Sequence, residues 1–320
     1  MLPPLHIVSS CSDGKRGQIA APYRLGTHLQ SGIDERFAAW WTTIAAAPSE
    51  SKVLATDLYV GDHWSVSREL PTLARSLGWS ARLWVLSAGY GLVPSEARIA
   101  PYAATFQPRH TDSVSRLAGA LRIAEHKAWW QLLCSNALEQ TEQPRSLTSL
   151  ARSTPDGVLL VVASPAYLLA VQDDLLGVMS ALSNRGSLLL VSSDTRGLAP
   201  VLQQRRISSS AQLTHIVQGS LLSLHARVAR WLIETSGQHH FRVDAIHDMV
   251  SATVRQLPPA ARHERQAATD DEVLQFMHAR IAADPRSSHS RLLREWRGAG
   301  RACEQSRFRA LFRQLKGHTT

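Results

Sequence analysis

The amino-acid sequence predicts an α/β protein with a mostly parallel, doubly wound sheet, followed by a small helix-turn-helix-like module. Short apolar runs recur along most of the chain, and each ends in small or polar residues. The segments between these runs carry apolar residues at helical spacing. The end of the chain is helical in pattern and rich in arginine. Alternating strands and helices are typical of a parallel sheet covered by helices.

The predicted strands are continuous apolar runs, which indicates burial on both faces, as in a parallel sheet. Four of them lie at residues 5–8, 82–86, 157–162 and 187–191. A further candidate lies at residues 213–217.

The predicted helices fall between and after these strands. Each repeats apolar residues every three or four positions, so that one face is apolar. They cover residues 35–47, 66–78, 114–133, 168–186 and 220–234.

The pattern divides the chain into three parts. Residues 1–235 contain all the predicted strands and form the predicted α/β domain. Residues 236–269 read as a helical connection and linker, with Pro258 and Pro259 within it. Residues 270–320 form a basic helical module.

The chain carries 35 Lys and Arg against 26 Asp and Glu, a formal charge of +9. A surplus of this size favours polyanionic partners, either nucleic acid or an anionic membrane face. The alternative is that the charge serves solubility alone.

A run of ~18 apolar residues, which a spanning helix requires, is missing, and so is a signal-peptide pattern. We therefore expect a cytoplasmic protein that does not enter a membrane.

The sequence offers no recognised metal, cofactor or nucleophile motif. The three cysteines lie far apart, which argues against a disulfide framework and a zinc site. His239, His240 and His247 lack a carboxylate at ligand spacing. Neither the glycine-rich dinucleotide and phosphate loops nor the G-x-S-x-G elbow is present. We expect no metal and no cofactor.

Small and polar residues follow each of the four predicted strands. Ligands of open α/β sheets bind beyond the carboxyl ends of the strands, so these loops predict a shared pocket. Hydroxyls and free amides supply hydrogen bonds, and tyrosine rings provide the flat walls that a nucleobase needs. The candidate substrate-binding residues in these loops are Ser10, Cys11, Ser12, Lys15, Ser87, Tyr90, Ser164, Tyr167 and Asp194. The alternative is that such residues only make turns, and Cys11 reads either as a nucleophile or as a small buried residue.

Three segments together resemble a known family. They are VSSCSDGK at residues 8–15, DLYVGDHW at 57–64 and LSAGYGLVPSEARIAPYAATF at 86–106. The last is similar to the signature of a bacterial domain related to the core of archaeosine synthase, in the uracil-DNA-glycosylase-like α/β superfamily. The resemblance covers residues 5–235 and adds Tyr59 and Tyr102 to the substrate-binding candidates.

The resemblance implies an enzyme that handles a base turned out of its stack. The closest function is a DNA glycosylase that removes glucosylated hydroxymethylcytosine from phage DNA, leaving abasic sites as an antiviral defence. Uracil-DNA glycosylases carry a water-activating Asp after their first strand, within GQDPYH. The matching place here reads SCSDGK, without the Pro-Tyr-His, and makes Asp13 the catalytic candidate. Asp57 and Asp62, which flank Tyr59, compete for the role.

A carboxylate suits this reaction because cleavage of the N-glycosidic bond develops positive charge on the sugar. A nearby Asp stabilises that charge and orients or deprotonates a water. Lysine can replace water by forming a Schiff base, and Lys15 has either this role or phosphate binding open to it.

Two other functions stay open: a tRNA enzyme that modifies a 7-deazaguanine-type base, and a non-catalytic DNA-binding protein that senses a nucleotide.

The basic tail spans residues 291–316 and holds eight Lys and Arg against two Glu, a local charge of +6. Two helices are predicted there, and with a helix over 271–283 they make a helix-turn-helix-like trio. The residues expected in its core are Leu292, Leu293, Trp296, Phe308, Leu311, Phe312 and Leu315. The residues expected to face the phosphates of double-stranded DNA are Arg291, Arg294, Arg297, Arg301, Arg307, Arg309 and Arg313. The alternative is a solvated basic face on a helical cap.

Overall fold

The computed structural model of the chain describes residues 2–136, 143–236, 241–259, 266–285 and 287–317. The chain falls into two compact units, residues 1–259 and 260–320. Each unit has a hydrophobic core of its own.

The strands all lie in the larger unit. They are β1 (Leu5–Ser10), β2 (Val53–Leu54), β3 (Ala81–Ser87), β4 (Gly91–Pro94), β5 (Arg98–Ile99), β6 (Val158–Val162), β7 (Leu188–Ser192) and β8 (Arg206–Ser208). Within the described residues, the main sheet has the order β4-β3-β1-β6-β7-β8, and β2 pairs separately with β5.

The main sheet is mostly parallel. Every neighbouring pair is parallel except β3 and β4, which form an antiparallel edge. Strands β1, β6 and β7 are buried along their whole length, because apolar residues face both sides of the sheet. The structure thus confirms the α/β class and the mostly parallel sheet.

Four of the predicted strands are confirmed, but the strand predicted at residues 213–217 is wrong. That segment is a 3-10 helix, Ala211–His215, followed by a turn in which Val217 N–H donates to the Leu213 carbonyl. Leu213 and Val217 are therefore brought to the same side by a helical turn, not by strand alternation. The last place in the sheet is taken by β8.

The helices of the larger unit lie between and after the strands. They are α1 (Ile33–Ala45), α2 (Ala55–Leu58), α3 (Asp62–Ser67), α4 (Leu70–Ser76), α5 (Gly119–Ser135), α6 (Leu147–Ser153), α7 (Pro165–Ala170), α8 (Gln172–Ala181), α9 (Pro200–Gln203), α10 (Leu224–Ser236) and α11 (Val243–Gln256). The single helix predicted over residues 66–78 is divided between α3 and α4.

Helices cover both faces of the sheet. The crossover from β1 to β3 runs toward one edge, whereas those from β3 to β6 and from β6 to β7 run toward the other. Right-handed crossovers in opposite directions place their helices on opposite faces. Helices α3 and α4 therefore cover one face and α5 to α8 the other. Helix α10 packs against α3 and α4 and over β6 and β7, so it extends the first layer.

The segment expected to be a connection, residues 236–269, contributes its first part, up to Pro259, to the larger unit. Phe241, Val243 and Ile246 are each at most 2% exposed and join its core. Burial of these apolar side chains attaches α11 to the sheet domain. The boundary between the compact units falls at Pro259.

The smaller unit contains α12 (Asp270–Ala283), α13 (His289–Gly298) and α14 (Gln305–Gly317). Helix α12 begins with a capping box, in which Thr269 and Glu272 bond each other's backbone N–H groups. The predicted core residues Leu292, Leu293, Trp296, Phe308 and Leu311 are buried, and Phe312 and Leu315 pack against them. In the described parts of both units, no helix combines the length and apolar character needed to cross a bilayer.

Candidate active site

The topological switch point of the sheet lies between β1 and β6. The chain leaves β1 toward one edge and, after β3, returns to build β6 on the other side of β1. The connections diverge at such a point and open a crevice beyond the carboxyl ends of the strands, where ligands of α/β sheets bind. The loops at this crevice begin at Cys11 and Ala163.

The floor of the crevice is a layer of buried tyrosines. Tyr59, Tyr102 and Tyr167 are 2%, 0% and 3% exposed. The Tyr102 hydroxyl lies 2.6 Å from Oγ of Ser87 and 3.0 Å from the Tyr59 hydroxyl, and the Tyr167 hydroxyl lies 3.1 Å from Sγ of Cys11. Burial raises the pKa of all three tyrosines well above its ordinary value. They are therefore neutral hydrogen-bonding groups.

These rings are not the exposed walls that the sequence suggested. Tyr90 is also buried, with its hydroxyl donating to the Ala100 carbonyl over 3.3 Å. Ser10 and Ser87 are buried as well. An aromatic ring gains most from full burial when its polar end finds a partner, and here each hydroxyl does. The residues support the crevice from below and offer a ligand little surface.

The loop after β3 depends on one glycine. Oγ of Ser87 accepts hydrogen bonds from the backbone N–H groups of Gly89 and Tyr90, which closes a tight turn. A Cβ atom at Gly89 would lie 2.4 Å from the Tyr102 ring and 3.1 Å from Trp40. Only glycine lets the backbone approach the tyrosine floor this closely.

Lys15 lies above the floor. Its backbone forms an isolated β-bridge with Tyr59, and its Nζ lies 4.9 Å from the centre of the Tyr102 ring. The side chain is half-buried, and among the described residues no carboxylate pairs with it. A cation over an aromatic face gains about 0.5–2 kcal/mol. Lys15 is thus a positioned cation whose charge is open to a ligand.

Asp13 meets a histidine that the sequence did not single out. Oδ1 of Asp13 lies 3.3 Å from Nε2 of His110, and the Asp13 side chain is 74% exposed. The backbone N–H of Asp112 donates to Nδ1 of His110 over 3.0 Å. A nitrogen that accepts carries no proton in the neutral ring, so the imidazole proton is on Nε2, the nitrogen that lies 3.3 Å from Asp13.

Asp112 fixes the segment that carries His110. It is 3% exposed, and its carboxylate accepts from the backbone N–H of Gly26 over 3.0 Å and from Arg24 over 3.2 Å. A buried carboxylate with this set of donors is held firmly. The position of the His110 ring therefore depends on a network that reaches the segment after β1.

The other two catalytic candidates have different surroundings. The Asp62 carboxylate is 2.9 Å from Nη2 of Arg227 and accepts from the Ser223 hydroxyl over 2.6 Å. It therefore joins α3 to the start of α10, and its charge is already balanced, which argues against the catalytic role. Asp57 is exposed and makes no hydrogen bond or ion pair with the described residues. Of the three, only Asp13 lies at the switch point with a histidine beside its carboxylate.

The remaining polar candidates lie at the rim or away from it. The Ser164 hydroxyl, after β6, accepts from Nε2 of Gln107 over 3.0 Å. The Ser12 hydroxyl donates to the Gly14 carbonyl and shapes the loop after β1. Asp194, after β7, is 74% exposed and lies 3.7 Å from Arg206. Gln107 and His110 follow the resemblance segment at residues 86–106, and no spacing rule in the sequence marks either residue.

The chain was compared with protein-family models, with curated proteins and with solved structures. None of the three comparisons finds a match. The site is therefore interpreted from its own residues and from the resemblance in the sequence.

A second polar cluster lies under α3, on the face of the sheet covered by α3, α4 and α10. Oγ of Ser9 donates to Oγ of Ser67 over 2.9 Å and lies 3.1 Å from Nε2 of His63. Burial, together with the nearby His225, lowers the pKa of His63 to about 4. Ser9 is fully buried, so this Ser–His contact is closed to a substrate and serves packing.

Metal ligation finds no support in the part of the chain that is described. No group of three or more His, Cys, Asp or Glu side chains there is placed to hold an ion. Nε2 of His247 lies 3.1 Å from the Gln204 carbonyl. His239 and His240 lie outside the described residues.

Four of the seven tail arginines are held by neighbours within the smaller unit. Three form ion pairs, and the fourth donates to a backbone carbonyl. The contacts are Arg291 to Asp284 (2.8 Å), Arg301 to Glu272 (3.1 Å), Arg307 to Asp270 (2.7 Å) and Arg297 to the Cys303 carbonyl (3.0 Å). The side chains of Arg291, Arg301 and Arg307 are still 66%, 41% and 40% exposed, so they lie at the surface with their charges partly balanced by carboxylates on and after α12.

Arg294, Arg309 and Arg313 are exposed and make no ion pair with the described residues. Arg309 and Arg313 are four residues apart on α14, so they share one face of that helix. The unpaired tail arginines therefore comprise this pair on α14 and Arg294 on α13.

Proposed function

We propose that the larger unit is a DNA glycosylase that hydrolyses the N-glycosidic bond of a modified base, and that the smaller unit binds the DNA backbone. The observation that carries the proposal is the Asp13–His110 pair at the switch point of the sheet. An exposed carboxylate with an imidazole held beside it can stabilise developing positive charge and take up the proton of a water, as glycosidic hydrolysis needs.

In the reaction, the bond between the sugar C1′ and the base breaks, and its electron pair leaves with the base. The Asp13 carboxylate stabilises the positive charge that develops on the sugar. It then takes a proton from the water whose oxygen forms the new bond to C1′. The departing base anion takes up one proton from solvent, and Asp13 returns its own proton to solvent, so the carboxylate is regenerated. The imidazole of His110, which Asp112 holds in place, lies 3.3 Å from the carboxylate.

The segments that carry the family resemblance support the same location. Lys15 from the first segment bridges Tyr59 of the second, and Tyr59 meets Tyr102 of the third over 3.0 Å. Segments that are distant in sequence thus converge on one layer of tyrosines, which the chain contacts at Lys15, two residues after Asp13. A cation above this layer, Lys15, suits a substrate that carries phosphate groups.

The decisive experiment incubates the purified chain with three substrates. They are plain duplex DNA, DNA carrying glucosylated hydroxymethylcytosine, and bulk tRNA. We expect free modified base and alkali-labile abasic sites from the modified DNA, and neither from plain DNA. Asp13→Asn is the matched inactive variant.

Two outcomes would contradict the proposal. A mass change in a tRNA nucleoside without base release from any DNA would favour an RNA base-modifying enzyme. Tight DNA binding without any chemistry on the three substrates would favour a binding protein that senses a nucleotide. Glucosylated hydroxymethylcytosine itself comes from the resemblance, so a panel of other modified cytosines belongs in the same assay.

A further inference from the structure

The segment between Phe106 and Asp112 forms a loop that is closed at its base. Thr105 N–H donates to the Asp112 carbonyl over 3.0 Å, and Val114 N–H donates to the Thr105 carbonyl over 2.9 Å. Phe106 anchors the start of the loop, with its ring fully buried and its centre 5.1 Å from that of Tyr167. The residues after it therefore project from a fixed base.

This loop spans the switch-point crevice. Gln107 donates to Ser164, which follows β6, over 3.0 Å. His110 contacts Asp13, which follows β1, over 3.3 Å. The loop thus touches both sides of the crevice, and Arg109 lies between its two points of contact.

Arg109 has an unusual backbone. Its φ is +63°, and no other non-glycine residue in the described ranges has a positive φ. This left-handed conformation is unfavourable for a residue with a Cβ, and Gly or Asn would adopt it more easily. The side chain is exposed and makes no hydrogen bond or ion pair with the described residues. The fold therefore holds an unfavourable conformation at a position whose side chain contributes nothing to packing.

We propose that Arg109 binds a phosphate group of the substrate and so positions the nucleotide over Asp13. Strained backbone of this kind is concentrated at ligand-binding sites. A guanidinium recognises a phosphate through paired N–H donors and keeps its charge at all physiological pH values. Lys15, two residues after Asp13 in the chain, supplies a second positive charge. The inference rests on the proposed function in that the ligand is a nucleotide.

The test measures binding of a fluorescein-labelled single-stranded oligonucleotide to the full chain across a range of salt concentrations. Arg109→Asn removes the charge but tolerates the left-handed backbone, and Arg109→Lys keeps the charge. We expect Arg109→Asn to weaken binding about tenfold and to reduce the slope of log K against log salt by about 0.7. Arg109→Lys should retain most of the slope. The control is Arg185→Asn. Arg185 is exposed and lies before β7, at the amino ends of the strands, whereas the switch-point crevice lies at their carboxyl ends.

Competition by thymidine monophosphate identifies the kind of phosphate. If Arg109→Asn weakens both the mononucleotide and the oligonucleotide, Arg109 binds the phosphate of the nucleotide in the site. If it weakens only the oligonucleotide, Arg109 binds a diester of the flanking strand. Unchanged affinity and slope for both ligands would overturn the inference. Because binding is measured without turnover, failure of the glycosylase assay with an Arg109-dependent slope would refute the reaction alone.

Discussion

Nε2 of His110 lies 3.3 Å from Oδ1 of Asp13, and the backbone of Asp112 fixes which imidazole nitrogen carries the proton. The pair joins the loop after β1 to the loop that spans the crevice. It places a histidine beside Asp13, whereas Asp57 has no such neighbour and Asp62 is paired with Arg227.

Asp13→Asn should reduce base release by at least about a hundredfold, since it removes the charge that stabilises the developing cation. His110→Gln should reduce it about tenfold, because the carboxylate remains but loses its orientation. Single-turnover release of base from modified DNA measures both effects. Asp57→Asn is the matched control and should keep most of the activity. A loss confined to Asp57→Asn would move the catalytic role to that residue.

Lys15 should act through its charge and not through a covalent bond. Lys15→Arg keeps the charge and should therefore retain most of the affinity for DNA. Lys15→Gln removes the charge and should lose the part of the affinity that the charge supplies. Borohydride added during turnover should trap no protein–DNA adduct. A trapped adduct that disappears in Lys15→Arg would instead establish a Schiff-base mechanism.

Gly89→Ala should destabilise the larger unit by about 1–3 kcal/mol, because the added methyl group overpacks the site against Tyr102 and Trp40. Urea unfolding followed by tryptophan fluorescence measures the change. Gly32→Ala, where the nearest contact is the flexible end of Glu35 at 3.7 Å, should cost less than about 1 kcal/mol. Equal losses in the two variants would contradict the close approach inferred at Gly89.

DNA binding by the smaller unit should depend most on α14. Replacing both Arg309 and Arg313 with Gln should reduce the slope of log K against log salt on a duplex by up to about 1.8, or 0.9 for each phosphate that the variant no longer neutralises. The control replaces Arg291 and Arg301, whose charges are paired with Asp284 and Glu272. This control variant should change the slope less than the α14 variant does. It should change the free energy of unfolding by under about 1 kcal/mol. A larger slope change in the control would show that paired arginines bind the phosphates.

Stability should fall as the pH falls from about 6.5 to about 4. Burial, the largest cause in each case, lowers the pKa of His6, His63 and His126 from 6.5 to about 4. Between these pH values the unfolded chain binds protons that the folded chain does not, so acid favours unfolding. Each histidine contributes up to about 1.4 kcal/mol per pH unit across this range.

Urea unfolding at a series of pH values measures this dependence. His126→Gln should make it shallower by one histidine, whereas the exposed-site control His215→Gln should leave it as it is. An unchanged pH dependence in His126→Gln would show that its ring is protonated alike in the folded and unfolded states.

The hydrophobic pattern of the sequence determined the α/β class, the four buried parallel strands and the three-helix end of the chain. These features follow from local periodicity, because a run buried on both faces and an amphipathic helix are visible in a short window. The resemblance segments likewise marked Lys15, Tyr59 and Tyr102 before their contacts were known. The strand predicted at residues 213–217 failed because Leu213 and Val217 fit a helical turn as well as a strand.

Only the tertiary structure decided which polar residues meet. His110 joins Asp13 and Gln107 joins Ser164 through contacts between segments far apart in the chain, and no local spacing encodes such pairs. Tyr59, Tyr102 and Tyr167 were expected as exposed walls of the pocket, but they are buried beneath it. Carboxylates of the smaller unit form ion pairs with three of the tail arginines, and the sequence did not predict these pairs. Periodicity reports whether a residue faces the core, whereas the partner of a polar side chain depends on how distant segments pack together.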